Sequence, residues 1–252
     1  MSRSLDLMAA IGRMGLVAVK STGCFPAVVC RPGGRRDLFA NLYATGIRTL
    51  PVVTIVSLFI GMILALQVGL ELRRFNQEMY LGAAVMLTLI REMAAFSCGI
   101  CLAACVGSAI AAEIGTMKIN DEIDALRVMG ISPIRFVAAP RVLALVLMAP
   151  ILAFYCCIVG AIGGGIVGAT QLGVNFDQYM SSAMSMAGTK DLMTGLLKAL
   201  VFGFLVGTVS VHEGFETDHG AIGVGKSTQR SVILSFLLIL AFGYMISRVF
   251  YQ

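Results

Sequence analysis

Residues 106–144 read VGSAIAAEIGTMKINDEIDALRVMGISPIRFVAAPRVLA, a polar, charged segment between two long apolar runs. The segment carries its own helix signals. Asn120 is placed to cap a helix whose first turn holds Asp121, Glu122 and Asp124, acidic groups that suit the positive end of a helix dipole. Ile119, Ile123 and Leu126 recur at i, i+4 and i+7 and draw one apolar stripe. Gly130 is a stop, because glycine takes the left-handed conformation at no steric cost. Ser132-Pro133 then opens a new helix, with proline at the first helical position, where its missing N–H is not needed. The spacing predicts a short amphipathic helix within 119–130, acids on one side and an apolar edge on the other. That combination suits docking to a soluble partner.

Outward from this segment the chain reads as a membrane protein. Of its 252 residues 58% are hydrophobic and 13% charged, with a mean hydropathy of +0.89. A soluble domain carries about 25% charged residues. Crossing a bilayer takes about 20 apolar residues, and the stretches 49–70, 79–112, 137–169, 191–211 and 232–250 qualify, the fourth with Lys198 inside it. The predicted fold is all-α, with five transmembrane helices in a single domain over 1–252, of which 1–48 is an N-terminal segment. The stretch 79–112 would run about 50 Å as one helix, so a broken, tilted or protruding helix is expected there.

Lys and Arg give the orientation. Five spans put the N-terminus and the loops 113–141 and 212–231 on one side, with 13 of the 19 Lys and Arg residues. Cytoplasmic segments hold the excess of such cations. The N-terminus and the short helix are therefore predicted to be cytoplasmic and the C-terminus to lie outside. The net charge of +5 follows from this topology and is no sign of nucleic-acid binding. Arg13 and Lys20 interrupt the apolar residues that a cleavable signal would need. Leu5, Met8, Leu16 and Val19 instead predict a helix lying on the inner leaflet, and RPGGRRD at 31–37 predicts a turn before the first span.

Several motifs carry chemistry elsewhere and are read here as packing. Cys98, Cys101 and Cys105 share a helical face but have no histidine with them, and cysteine packs well between helices. Cys24, Cys30, Cys156 and Cys157 imply no disulfide framework. Gly220–Ser227, GAIGVGKS, matches the phosphate-binding pattern G-x-x-x-x-G-K-[ST]. That pattern works only between a strand and a helix, and here it is expected in a loop between two spans, its glycines turning the chain. His212, Glu213, Glu216, Asp218 and His219 are expected in the same solvated loop, with no metal implied. Small residues spaced by four, Gly61/Ala65/Gly69, Gly160/Gly164/Gly168 and Gly203/Gly207, let helix backbones approach closely. Arg91, Glu92 and Lys198 are the intramembrane charges, and such groups face a partner or a wet cavity. A Glu92–Lys198 pair between spans and a polar point in a substrate path are both consistent with them.

The block from Gly107 to Ala144, with LIREM at 89–93 upstream and GVGKSTQRSV at 223–232 downstream, closely resembles the signature of the MlaE/YrbE permeases of MCE-associated ABC transporters. The resemblance runs from about residue 40 to the end. It implies a homodimeric permease whose short loop helix couples to a separate ABC ATPase, with Glu113, Asp121, Glu122, Ile123, Asp124, Leu126 and Arg127 as the coupling residues. It further implies an MCE-domain periplasmic protein, a small STAS-domain subunit, and lipids, chiefly phospholipids, as cargo, in a bacterial inner membrane. No bond chemistry and no cofactor are implied for this chain. Three positions depart from the family pattern: Met93-Ala94-Ala95-Phe96 replaces a Gly-Pro-Val, Cys105 an arginine, and Gly243 an aspartate. The rival reading is a secondary transporter driven by protons or sodium through Glu92 and Lys198. A membrane-embedded lipid enzyme would need an Asp, His or Ser constellation that the sequence does not offer.

Overall fold

The computed structural model describes residues 32–218 and 220–251 (backbone alone at 32–34), with Gly15 and Gly23 before them. The helix expected from Leu5 to Val19, the cysteines Cys24 and Cys30, and His219 lie outside the described residues. Among the described residues the regular structure is helical, without strands. Pro32–Gly46 forms α1 and Leu50–Arg74 forms α2, with Pro51 in its first turn and Arg73 and Arg74 in its last, where the helix dipole favours cations. Glu78–Ile119 is α3, Glu122–Val128 is α4 and Ile134–Gln171 is α5. Phe176–Met186 is α6, Thr189–Phe215 is α7 and Gly220–Tyr251 is α8. Five helical stretches are long and apolar enough to cross a membrane: Arg35–Arg74, α3, α5, α7 and α8.

Four sequence expectations change. Residues 32–37 of the expected turn are instead the start of α1. The stretch for which a broken, tilted or protruding helix was expected is unbroken, and it takes up extra residues in π turns at Leu89–Met93 and Ala103–Gly107. The phosphate-loop look-alike is the first two turns of α8, preceded by a helix, so the strand that the motif requires is missing. Its glycines do serve the turn: Gly220 has φ +67, and a Cβ on Gly223 would overlap the Asp218 carbonyl. His212 and Glu213 are buried on α7, not dissolved in a loop. A sixth apolar element, α6, was not foreseen. Asn175 caps it by accepting from the Asp177 N–H at 3.1 Å.

The described chain forms two compact units. One comprises the described residues up to Arg48 with Leu102–Met148 and Phe202–Ala241. In it, Leu38 of α1 packs with Ala139, Leu143 and Ala144 of α5. α8 enters this packing through a column spaced by four: Gly223, Ser227, Ser231, Ser235 and Ile239. Its hydroxyls meet those of α7 and of the turn after it: Ser231 donates to Ser210 of α7 at 3.0 Å, and Ser227 lies 2.9 Å from Thr217, just past the end of α7. Small side chains bring the backbones close enough for such bonds, a common glue between membrane helices.

The other unit comprises Thr49–Cys101, Ala149–Val201 and Phe242–Gln252, of which Gln252 is not described. Its core joins Ala65 of α2, Leu81, Val85 and Leu89 of α3, Val167 of α5 and Tyr179 of α6. The small-residue spacing is realised here. A Cβ on Gly61 would collide with the Gly160 backbone, one on Gly69 with Leu172, and one on Gly164 with the Tyr179 ring. Burial pushes the Tyr179 hydroxyl up to about 12. The cysteines are packing residues: Cys98, Cys101, Cys156 and Cys157 are buried, and the Cys98 thiol donates to the Ala149 carbonyl at 3.5 Å. Cys105 falls in the second π turn and is exposed. No metal-binding group of three or more ligands occurs among the described residues.

Candidate functional site

Two constellations stand out, one in each unit. The first is built on α4. The predicted helix is present at Glu122–Val128, but Asn120 is not its cap. Asn120 ends α3, its N–H bonding to the Thr116 carbonyl at 3.0 Å. Asp121 then turns the chain at φ +58, a conformation that aspartate tolerates better than most residues. Gly130 stops α4 as expected, at φ +74. Gly130 N–H bonds to the Arg127 carbonyl at 3.0 Å and Ile131 N–H to the Leu126 carbonyl at 2.9 Å. That pair of bonds is the Schellman ending, which satisfies two carbonyls the helix would otherwise leave bare.

The side chains of α4 divide cleanly. Ile123 is fully buried and Leu126 half-buried, so the apolar stripe faces inward and seats the helix on its own unit. Asp124 is clasped by Lys118 at 3.2 Å and Arg127 at 2.7 Å. The Lys118 hydrogen bond, ahead of the field of Lys118 and Arg127, holds the Asp124 carboxyl below its ordinary 3.8. Asp121 and Glu122 remain exposed. So do Val128, at 89%, and Met129, at 64%, which the stripe argument passed over. Glu113 does not project freely: it meets Arg141 of α5 at 2.7 Å.

The second constellation gathers Arg91, Glu92 and Lys198. Arg91 and Glu92 sit in the π turn Leu89–Met93, and Asp191, Gly195 and Lys198 share a face of α7 at i, i+4 and i+7. Gly195 lets the two helices touch, since a Cβ there would collide with the Ile90 carbonyl. The contact separates the neighbouring charges into two pairs. Arg91 grips Asp191 with two nitrogens, Nε to Oδ1 at 2.9 Å and Nη2 to Oδ2 at 3.3 Å. Lys198, fully buried, donates to Glu92 Oε1 at 2.6 Å, the Arg91 carbonyl at 2.7 Å and Ser247 Oγ at 2.8 Å. All three ammonium protons are thus used, so that no donor of this buried side chain is left without an acceptor. Tyr251 of α8 covers Arg91, its ring centre 4.7 Å from the guanidinium carbon.

The sequence pointed to Glu92 and Lys198 as partners, and they are adjacent. It missed Asp191, Ser247 and Tyr251. Arg91 and Glu92 each keep about two-fifths of their side-chain surface open, at 39% and 41%, while Asp191 and Lys198 are covered. The four charges cancel, leaving a neutral group with one acidic and one basic head at its surface.

A family model described as Permease MlaE matches residues 38–249. A probable ABC transporter permease protein of Rickettsia prowazekii is 36% identical over 215 residues, 85% of this chain and 83% of the relative. The intermembrane phospholipid transport system permease protein MlaE of Haemophilus influenzae is 30% identical over 251 residues, 98% and 94% of the two chains. The chloroplastic protein TRIGALACTOSYLDIACYLGLYCEROL 1 of Arabidopsis thaliana is 32% identical over 217 residues, 86% of this chain and 62% of that one.

Proposed function

This chain belongs to the MlaE permease family, and from that premise we propose that it is the membrane subunit of an ABC transporter that moves phospholipids between two membranes. ATP is hydrolysed in a separate partner, and α4 receives the resulting motion. The observation that carries this reading is the surface of α4. A short helix between two spans presents Asp121, Glu122, Val128 and Met129 outward while Ile123 anchors it from beneath. Exposed acids around an apolar tip suit a basic-rimmed groove on a soluble partner.

Arg91 and Glu92 are the proposed lipid-facing heads of the intramembrane group, with the mostly covered Asp191 and the buried Lys198 as their supports. An acidic and a basic head side by side suit a zwitterionic or anionic phospholipid headgroup on its way past. The chain works as a homodimer in a bacterial inner membrane, N-terminus and α4 in the cytoplasm and C-terminus in the periplasm. An MCE-domain protein receives or delivers the lipid, and a small STAS-domain subunit completes the assembly. Binding of ATP shifts the dimer between states that hold lipid differently.

The test is purification from native membranes followed by reconstitution. An ABC ATPase is expected to accompany the chain, and labelled phospholipid should move only with hydrolysable ATP. Transport that tracks a proton or sodium gradient without any ATPase would establish the rival reading.

A further inference from the structure

Force applied to α4 reaches the spans through two stalks, the last turns of α3 and the first turns of α5. Each junction is a short connection, residues 120–121 and 129–133, that turns at one residue with positive φ, Asp121 at +58 and Gly130 at +74. A helix held only by such junctions pivots when pushed, and little of the motion travels further. Three features of the same unit oppose that pivot. Ile123 is fully buried, and Lys118 of α3 holds Asp124 of α4. The third feature joins the stalks to each other: Arg141 Nη2 donates to Glu113 Oε1 at 2.7 Å, across 28 residues of chain.

Arg141 is built for this bond. Its side chain is only 12% exposed, and Nη1 donates to the Val137 carbonyl at 2.8 Å. Val137 lies in the π turn Ile134–Ala138, directly before Arg141 on α5. The guanidinium is thereby held in place by its own stalk and presents its second nitrogen to the neighbour. A planar fork can make both bonds at once, which a lysine ammonium on a flexible stem cannot hold in the same geometry. Glu113, by contrast, is 59% exposed. A half-exposed pair of this kind adds little to stability. Its place, not its strength, is informative.

We propose that Glu113 and Arg141 form a positioning clamp that locks the two stalks in one register, so that displacement of α4 moves α3 and α5 together. The clamp rests on the docking role given to α4 above. It makes Glu113 a transmission residue and not a contact for the ATPase.

The complete complex in proteoliposomes containing nitrobenzoxadiazole-labelled phosphatidylethanolamine tests this. Glu113→Gln should leave assembly, thermal unfolding and ATP turnover nearly unchanged. The lipid moved per ATP hydrolysed should fall about fivefold, the size of a modest coupling between sites. Arg141→Lys, which keeps the charge but not both bonds, should fall between Glu113→Gln and the unaltered chain, and the exchanged pair Glu113→Arg with Arg141→Glu should recover only part of the ratio, because a carboxylate at 141 cannot donate to the Val137 carbonyl. An unchanged ratio in Glu113→Gln overturns the clamp. So does loss of the ATPase from that variant, which would make Glu113 a direct contact. A wild-type complex that moves no labelled lipid with ATP refutes the docking role itself and the clamp with it.

Discussion

At Lys198 the ammonium is fully buried, whereas the Glu92 side chain keeps 41% of its surface open. The two ends of this ion pair therefore respond differently to loss of the partner. Glu92→Gln leaves a buried cation with neutral acceptors alone: the Arg91 carbonyl, the Ser247 hydroxyl and the new amide oxygen. Removing one partner of a buried pair costs about 3–5 kcal/mol, and the remaining acceptors bring the expected loss here to the lower end. Lys198→Met leaves a carboxylate that water can reach from its open side, so a smaller loss of about 1 kcal/mol is expected. The double substitution should regain about 1–2 kcal/mol relative to the sum of the two. Thermal unfolding of the four proteins in one detergent gives all three numbers. If Lys198→Met is the more damaging change, Glu92 faces hydrocarbon and not a wet lipid path. That these two residues meet was one of two readings the sequence left open, because opposite charges in apolar spans have few other partners but can also line a wet path. Asp191 was not legible. It stands beside Lys190 where the fourth span was expected to begin, and a carboxylate at a span's edge reads as solvated until α3 is seen beside it.

Among the elements, α2 and α5 show what the glycines contribute. Gly61 of α2 stands against the backbone of Gly160 of α5, and no methyl group fits between them. Gly61→Ala must push the helices apart or shift them along each other. Overpacking of this kind costs about 3 kcal/mol at the upper end of its range. Gly225→Ala at the start of α8 meets nothing within 4 Å and should be neutral or slightly stabilising. The pair of variants separates a packing glycine from a merely helical one by unfolding temperature. An unchanged unfolding temperature in Gly61→Ala would show that the crossing is looser than described. The five spans and α4 were legible because apolar length and period 3.6 are strong signals. The joints were not. A π turn differs from an α turn by one residue in the hydrogen-bond count, and LIREM gives no outward sign of it. The cap of α4 was misplaced by one residue, since Asn120 and Asp121 are equally good candidates by composition and only the left-handed turn decides. α6 escaped notice because FDQYMSSAMSM is short and mixes polar with apolar residues. Its helical face becomes apparent once Tyr179 and Ala183 are seen buried.

For the whole molecule, the question is which face would meet the proposed ATPase. The apolar stripe Ile119, Ile123 and Leu126 that predicted α4 is not that face, because Ile123 is fully buried and Leu126 half-buried. Substituting Leu126 would disturb the seat of the helix as much as its docking. Val128 gives the cleaner test. It is 89% exposed, lies in the last turn of α4 and precedes the exposed Met129. A surface substitution of this sort changes the stability of the chain itself by no more than about 0.5 kcal/mol. If the tip of α4 is buried against a partner, Val128→Asp carries a carboxylate into that contact. An uncompensated polar group buried in this way costs about 1–3 kcal/mol on mutational scales. A loss of 2.8 kcal/mol would weaken binding about a hundredfold. The expected result is a permease that unfolds at its usual temperature but no longer retains the ATPase on affinity purification. Lys226→Ala, in the phosphate-loop look-alike on α8, should leave both assembly and nucleotide affinity unchanged, because in the proposed transporter the nucleotide binds the partner and the motif here is plain helix. Full retention of the ATPase by Val128→Asp would remove α4 from the interface. Photolabelling of this chain alone by nucleotide, abolished by Lys226→Ala, would place ATP chemistry where the fold has no strand to support it.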